Sequence, residues 1–184
     1  MSKVSLIIPT LRVNNMVDRC IESFKGQYDE LIVVDDKAGS LAYKQNKGLR
    51  MATGDFLIVC NDDVVVDKGK LKDLCIDGQV TSPLVNGGVF KVFHGHMFCL
   101  PRNIYAEVGG FDESYHGLYA IDSDLWYRLH IAGYPPQIVD NVDIDHRHPA
   151  STIKTLDQKQ RDSNEAINWF VSKWGEQARR IVKI

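Results

Sequence analysis

Two acidic groups, Asp35-Asp36 and Asn61-Asp62-Asp63, each follow directly on an unbroken apolar run, residues 31–34 and 56–60. Neighbouring carboxylates repel each other and are tolerated chiefly when a cation or proton sits between them. Oxygen ligands favour magnesium or manganese, and magnesium usually takes further bonds from substrate phosphates. The chemistry open to such residues is therefore that of a metal–phosphate site. An isolated Asn-Asp-Asp would be better read as a solvated turn after a strand. A third run, residues 4–8, ends on Pro9-Thr10, so the pattern repeats.

Elements of two kinds must position these residues. Short runs of buried apolar residues suit central strands of a covered sheet. Between the first two, Met16, Val17, Cys20, Ile21 and Phe24 recur at steps of three and four, which makes one apolar helix face. Leu41, Ala42, Leu49 and Ala52 make another, and Gly54-Asp55 is expected to stop that helix. Strand, helix, strand, helix, strand with right-handed crossovers gives a parallel sheet whose carboxyl ends share one edge. Pro9-Thr10, Asp35-Asp36 and Asn61-Asp62-Asp63 are thus expected to meet in the crevice where open α/β sheets bind ligands.

Further along, Leu71, Leu74, Cys75 and Ile76 suggest a short helix, and residues 89–92 and 97–100 suggest strands with an antiparallel element. Gly87-Gly88 and His94-Gly95-His96 mark turns. Residues 122–131 read as a helix with acidic residues in its first turn, which suits the dipole. Residues 163–180 read as a last helix with a stripe of Ala166, Ile167, Phe170, Val171 and Trp174.

The run VSLIIPT, then LIVVDD, then NKGLRMATGDFLIVCNDDVVV resembles the amino-terminal half of family 2 glycosyltransferases. The second half agrees: Val108-Gly109-Gly110-Phe111-Asp112-Glu113 resembles that family's GGFDE element. Asp122-Ser123-Asp124-Leu125-Trp126-Tyr127-Arg128-Leu129, with Ala132-Gly133-Tyr134 after it, resembles its ED-containing helix. His146, followed by Ser151, resembles its late histidine. The match covers roughly residues 3–152 in order. It implies a GT-A fold: α/β, with a mostly parallel Rossmann-like sheet flanked by helices and a small antiparallel element. The implied organisation is a catalytic domain over 1–152, with a nucleotide-sugar half at 1–83 and an acceptor half at 84–152. A helical extension follows at 153–184.

The resemblance also implies roles. Asp63 is the direct metal ligand, with Asp62 and Asn61 holding ribose, water or the outer ligand sphere. His146 is a third metal ligand in a subset of the family, against an ordinary surface histidine. Asp36 reads the base, and Pro9 and Thr10 complete the nucleoside site. Lys44 or Lys47, beside Asn46, supplies positive charge to the diphosphate, or is simply a solvated helix lysine. Asp122 is the general base of an inverting transfer, against a plain N-cap. Two positions depart from the pattern. Asn61 replaces the first acid of the DxD, and Ile121 replaces the Glu before the catalytic Asp, removing a possible orienting partner.

The implied activity is metal-dependent transfer, with Mn2+ or Mg2+, from a nucleoside-diphosphate sugar to an acceptor hydroxyl, with UDP ahead of GDP or TDP. The acceptor stays open among a glycan, a lipid-linked sugar, a protein and a modified nucleobase. Trp126 and Tyr127 could form its platform, and His94 and His96 are structural or acceptor-facing. A related nucleotidyltransferase is disfavoured, because its Gly-rich basic loop is missing after the first strand. A non-catalytic nucleotide-sugar-binding module is disfavoured because Asp36, Asp63 and Asp122 are all present. No G-x-G-x-x-G follows a strand, which disfavours a dehydrogenase.

With 184 residues and a formal net charge of -2, the chain suits one domain and general nucleic-acid binding is disfavoured. No secretory signal or membrane-length apolar run is visible, so a cytoplasmic protein without stable membrane insertion is expected. Cys20, Cys60, Cys75 and Cys99 lack metal or redox spacing and read as core thiols. The stripe of the last helix is expected to pack on the domain or a second subunit, so a homo-oligomer is possible.

Overall fold

Strands β1 (Val4–Pro9) and β3 (Phe56–Cys60) are buried along their whole length, which places them at the centre of the sheet. The computed structural model describes residues 2–10, 15–89, 93–115, 119–146 and 156–184. In chain order β1 is followed by α1 (Met16–Ser23), β2 (Glu30–Val34), α2 (Leu41–Met51), β3 and β4 (Val65–Lys68). A 3₁₀ turn (Leu71–Leu74), β5 (Thr81–Val85), β6 (Met97–Pro101), α3 (Arg102–Val108), α4 (Ile121–Ile131), β7 (Gln137–Asp145) and α5 (Leu156–Val182) complete it.

The seven strands form one sheet in the order β2-β1-β3-β6-β5-β7-β4. β1, β2 and β3 are mutually parallel, β6 is antiparallel to both β3 and β5, β7 is parallel to β5, and β4 is antiparallel to β7. All strands except β4 and β6 therefore run the same way, so the sheet is mostly parallel as expected. Side chains alternate between faces. Ile7, Leu57, Val59, Phe98 and Leu100 join α2, α3, α4 and α5 in one core cluster. Leu6, Ile8, Ile58, Cys60 and Cys99 join α1 and the 3₁₀ turn in the other.

Register brings the strand ends together. Pro9 lies opposite Val34, and the Thr10 amide donates to the Val34 carbonyl at 2.9 Å. β6 begins where β3 ends, with Met97 opposite Cys60. β7 ends beside β5, with Ile144 opposite Val85, so His146 reaches the same edge. The expected convergence of Pro9-Thr10, Asp35-Asp36 and Asn61-Asp62-Asp63 is what the register produces.

Some details differ from the sequence reading. Gly54 does not cap α2, which ends on Ala52. It lies against β1, where a Cβ would fall 2.5 Å from Ser5 Oγ and 2.8 Å from the Lys3 carbonyl. Its amide donates to Ser5 Oγ at 2.8 Å. Val89 lies in a turn, and the rest of the strand expected at 89–92 falls outside the described residues. α5 starts at Leu156 rather than 163 and breaks at Gly175, which has φ 83°. Its residues Ala166, Phe170, Ala178 and Val182 belong to the same core as α4, while Trp169 points outward, 50% exposed. Among the described residues no helix is long and apolar enough to cross a membrane.

At the opposite ends of the strands, Glu30 ties the starts of β1 and β2 to the segment before β3. Its carboxylate accepts from Ser5 Oγ at 2.5 Å and from the Thr53 amide and hydroxyl at 2.8 and 2.9 Å. Burial opposes its ionisation, but bonds from Ser5 and Thr53, with the Lys3 ammonium nearby, outweigh this and hold its pKa at about 2. A carboxyl lowered on folding stabilises the protein above its unfolded pKa and loses that contribution as pH falls through the folded value. Stability should therefore drop between about 4.5 and about 2. Glu30→Gln should cost about 1–3 kcal/mol at neutral pH and flatten the acid limb. Urea unfolding of both proteins from pH 7 to pH 2 measures this; parallel acid limbs would overturn it.

Candidate active site

The shared strand edge carries four side-chain arrangements. At the end of β1, the Thr10 hydroxyl donates to Asp62 Oδ2 at 2.5 Å, which locks the β1 and β3 ends to each other. After β2, Asp36 Oδ2 pairs with Lys47 Nζ at 2.8 Å, and its Oδ1 accepts from the Ala38 amide at 3.0 Å. The Lys47 ammonium and that amide hold the Asp36 carboxyl below its ordinary range. After β3, Asp63 Oδ1 lies 3.1 Å from His146 Nε2 at the end of β7. On α4, Asp122 Oδ2 accepts from the Gly95 amide at 3.0 Å.

α2 presents its polar residues to this edge unequally. Lys44 is only 5% exposed; burial pushes its ammonium down, while Asp36 and Asp62 push it back up. It is a buried cation facing the acids rather than a solvated helix lysine. Asn46 has another use. Its amide donates to the Phe111 carbonyl and to Glu113 Oε1, both at 2.8 Å, and accepts from the Phe111 amide. That fixes the Gly110-Phe111 segment against α2, in place of the donor contact expected of Asn46.

The histidines form a row. His94 and His96 stack with centroids 5.4 Å apart, and His96 stacks on His146 at 3.8 Å and 20°. Burial, reinforced by the neighbouring imidazoles, pushes His96 down to about 4, so it is neutral at physiological pH. His148 and Ser151 lie outside the described residues.

Asp63 and His146 face each other with side chains 10% and 14% exposed. Asp62 is turned to Thr10. Among the described residues no group of three or more His, Cys, Asp or Glu side chains is gathered to hold a metal. The arrangement fits a divalent cation with two protein donors, one oxygen and one nitrogen, whose remaining ligands come from substrate oxygens.

Asp122 is in the first turn of α4 and is not its cap, since the N-cap position is Ala120. Ile121 is buried in the core beside Leu125. A carboxylate at position 121 would point into that core, so nothing near Asp122 is missing its orienting partner. Tyr127 packs edge-on against Trp174 and Trp126 lies tilted against Phe93, and both stay half-buried.

Sequence reasoning missed the role of Asp124, which is fully buried. It accepts from Arg128 Nε at 2.8 Å, Lys173 Nζ and Trp174 Nε1 at 2.7 Å, and the Tyr115 hydroxyl at 3.3 Å. Lys173 also reaches Asp112 at 2.6 Å. Only the Asp124–Arg128 spacing of four was visible in the sequence; Lys173 and Trp174 come from α5. Removing one partner of a buried charge group typically costs about 3–5 kcal/mol. Asp124→Asn should lower stability by that amount in thermal or urea unfolding, and an unchanged melting temperature would refute the clamp.

Neither protein-family models nor curated proteins match the sequence. Solved structures do. A mannosyltransferase from Pyrobaculum calidifontis, in complex with GDP-Man and Mn2+, is similar at 15% identity and TM-score 0.64. The match covers 82% of this chain and 58% of that one. The catalytic domain of Drosophila beta1,4galactosyltransferase 7, in complex with xylobiose, is similar at 15% identity and TM-score 0.69, over 88% and 79%. Glucosyl-3-phosphoglycerate synthase from Mycobacterium tuberculosis, with Mg2+ and UDP, is similar at 15% identity and TM-score 0.68, over 95% and 80%. This chain therefore spans less than two thirds of the mannosyltransferase. What it shares with these enzymes is their fold, the GT-A fold of glycosyltransferases.

Proposed function

We propose that this chain is a metal-dependent inverting glycosyltransferase, family 2-like, that moves a sugar from a nucleoside-diphosphate sugar to an acceptor hydroxyl. The observation that carries it is the meeting of the Thr10–Asp62, Asp36–Lys47 and Asp63–His146 pairs with Asp122 at one sheet edge. The reading draws added support from the bound sugar nucleotide, nucleotide and divalent cations of the similar structures.

Asp36, held ionised, accepts an N–H from the base, and Thr10 and Asp62 frame the nucleoside. Uridine is favoured by fold analogy alone. Lys44 sits among the acids, where a diphosphate would relieve its burial. Asp63 and His146 would hold Mn2+ or Mg2+, which when bound supplies Lewis-acid stabilisation of the leaving diphosphate. Asp122 takes the proton of the acceptor hydroxyl as its oxygen bonds to the anomeric carbon. The bond from that carbon to the diphosphate oxygen breaks, and its electron pair leaves with the diphosphate, inverting the centre. Gly95 holds Asp122 on the side of the site that faces His94 and His96.

Calorimetry with UDP, GDP and TDP plus manganese should show binding of at least one, lost in Asp63→Ala. Hydrolysis or transfer of the matching sugar nucleotide should stop in chelator. Asp122→Asn should keep donor affinity and lose roughly 10²–10⁴-fold in turnover. Full activity in chelator, or near wild-type turnover of Asp122→Asn, would remove the reading.

A further inference from the structure

We infer that the His94-Gly95-His96 turn is a spacer that sets the base against the metal carboxylate, with Gly95 and His96 as positioning residues. The inference rests on the reading of Asp122 as base and of Asp63 and His146 as metal ligands.

The turn makes three contacts that no other described segment combines. Its middle amide donates to Asp122 Oδ2 at 3.0 Å. Its last imidazole lies flat on His146, 3.8 Å between centroids, and His146 in turn meets Asp63. Its last carbonyl accepts from the Asn61 amide at 2.8 Å, which anchors it to the strand end that carries the acids. β6 follows at once, bonded along β3, so the turn cannot slide without breaking the centre of the sheet.

Glycine is required in the middle for space. A Cβ on Gly95 would lie 2.7 Å from Asp122 Cβ and 3.1 Å from its Oδ2. Both atoms that would clash belong to the side chain whose place decides the chemistry. Any side chain at 95 therefore moves the carboxylate or the turn, and a shift of about 1 Å in a reacting group can cost 10²-fold in rate. His96 lies nearly parallel to His146 at 20°, so it acts on that ring as a flat plate that fixes its orientation.

The two arms predict different kinetic faults in the full-length protein. The probes are a panel of UDP-, GDP- and TDP-sugars, hydrolysed with manganese, and the corresponding nucleoside diphosphates in calorimetry. Gly95→Ala should lower turnover at least about tenfold while the nucleoside diphosphate binds within about twofold of wild type, since contacts made elsewhere survive. In an Asp122→Asn background the same change should cost less than about twofold, because residues acting through one group are not additive. Equal losses in both backgrounds would overturn the inference. His96→Ala should raise the manganese concentration for half-maximal rate, and His96→Phe, which restores a flat plate, should return it towards wild type. A Phe variant no better than Ala would overturn that arm. Should Gly95→Ala not fold, the Gly95 amide proton reports directly by NMR. It should exchange faster in Asp122→Ala than in wild type, and equal exchange would refute the contact. If wild type neither binds nor hydrolyses any donor, the functional reading itself fails and the inference falls with it.

Discussion

β6 lies antiparallel to β3 with Met97 opposite Cys60, so whatever enters β6 is delivered to the edge where β3 ends. In a purely parallel sheet that edge collects only strand exits, and the loops before strands lie at the far side. The reversed strand β6 adds an entrance among the exits at the centre of the sheet. The acids at the ends of β2 and β3 come from strand exits, as do Thr10 from β1 and His146 from β7. The turn that touches both Asp122 and His146 comes from the entrance. The remaining geometry follows from this pairing, because it is the backbone of the central sheet and carries side chains of both core clusters.

The helix that carries Asp122 is held by a different kind of force. Burying an ionised carboxylate costs several kcal/mol unless its partners repay it. Asp124 is repaid by two cations and two neutral donors, and the partners come from α4, α5 and the segment after Gly110. Such an arrangement tolerates little displacement, since all four donors converge on one carboxylate. Two residues before it, Asp122 stays half-buried, its oxygens accepting from the Gly95 and Ser123 amides. Burial of a charge thus serves geometry more than stability here.

Much of this was legible in the sequence, for local reasons. Apolar runs ending on Thr10, Asp36 and Asp63 named both the strands and the ends that meet at one edge, because a buried strand can turn polar only where it leaves the sheet. α2 and α4 announced themselves by spacing. What was not legible depends on contacts between distant residues. Trp174 reads as part of an apolar stripe and Lys173 as a polar residue beside it, and nothing in their spacing points to Asp124. Gly54 follows a helix as a cap would, yet the reason for glycine is the β1 backbone beside it. Trp126 and Tyr127 look like exposed aromatics until the partners that cover them, Phe93 and α5, are in place. Asn46 sits in a segment that resembles a donor site, but its amide is taken up by the Phe111 backbone.

The α5 clamp also has an order in time. Asp124 and Lys173 are 49 residues apart, and a ribosome makes them in that order. Domains tend to fold as units while the chain emerges. Through that interval the β-sheet and α4 can be complete while the carboxylate destined for burial has neither Lys173 nor Trp174. A charge in that position resists being covered, so α4 stays loosely docked and Asp122 has no fixed place. Nascent chains would hold β1, β2 and β3 in near-final form well before α4 is fixed. Closing the core over α4 then waits for a lysine and a tryptophan made 49 and 50 residues after the carboxylate they cover.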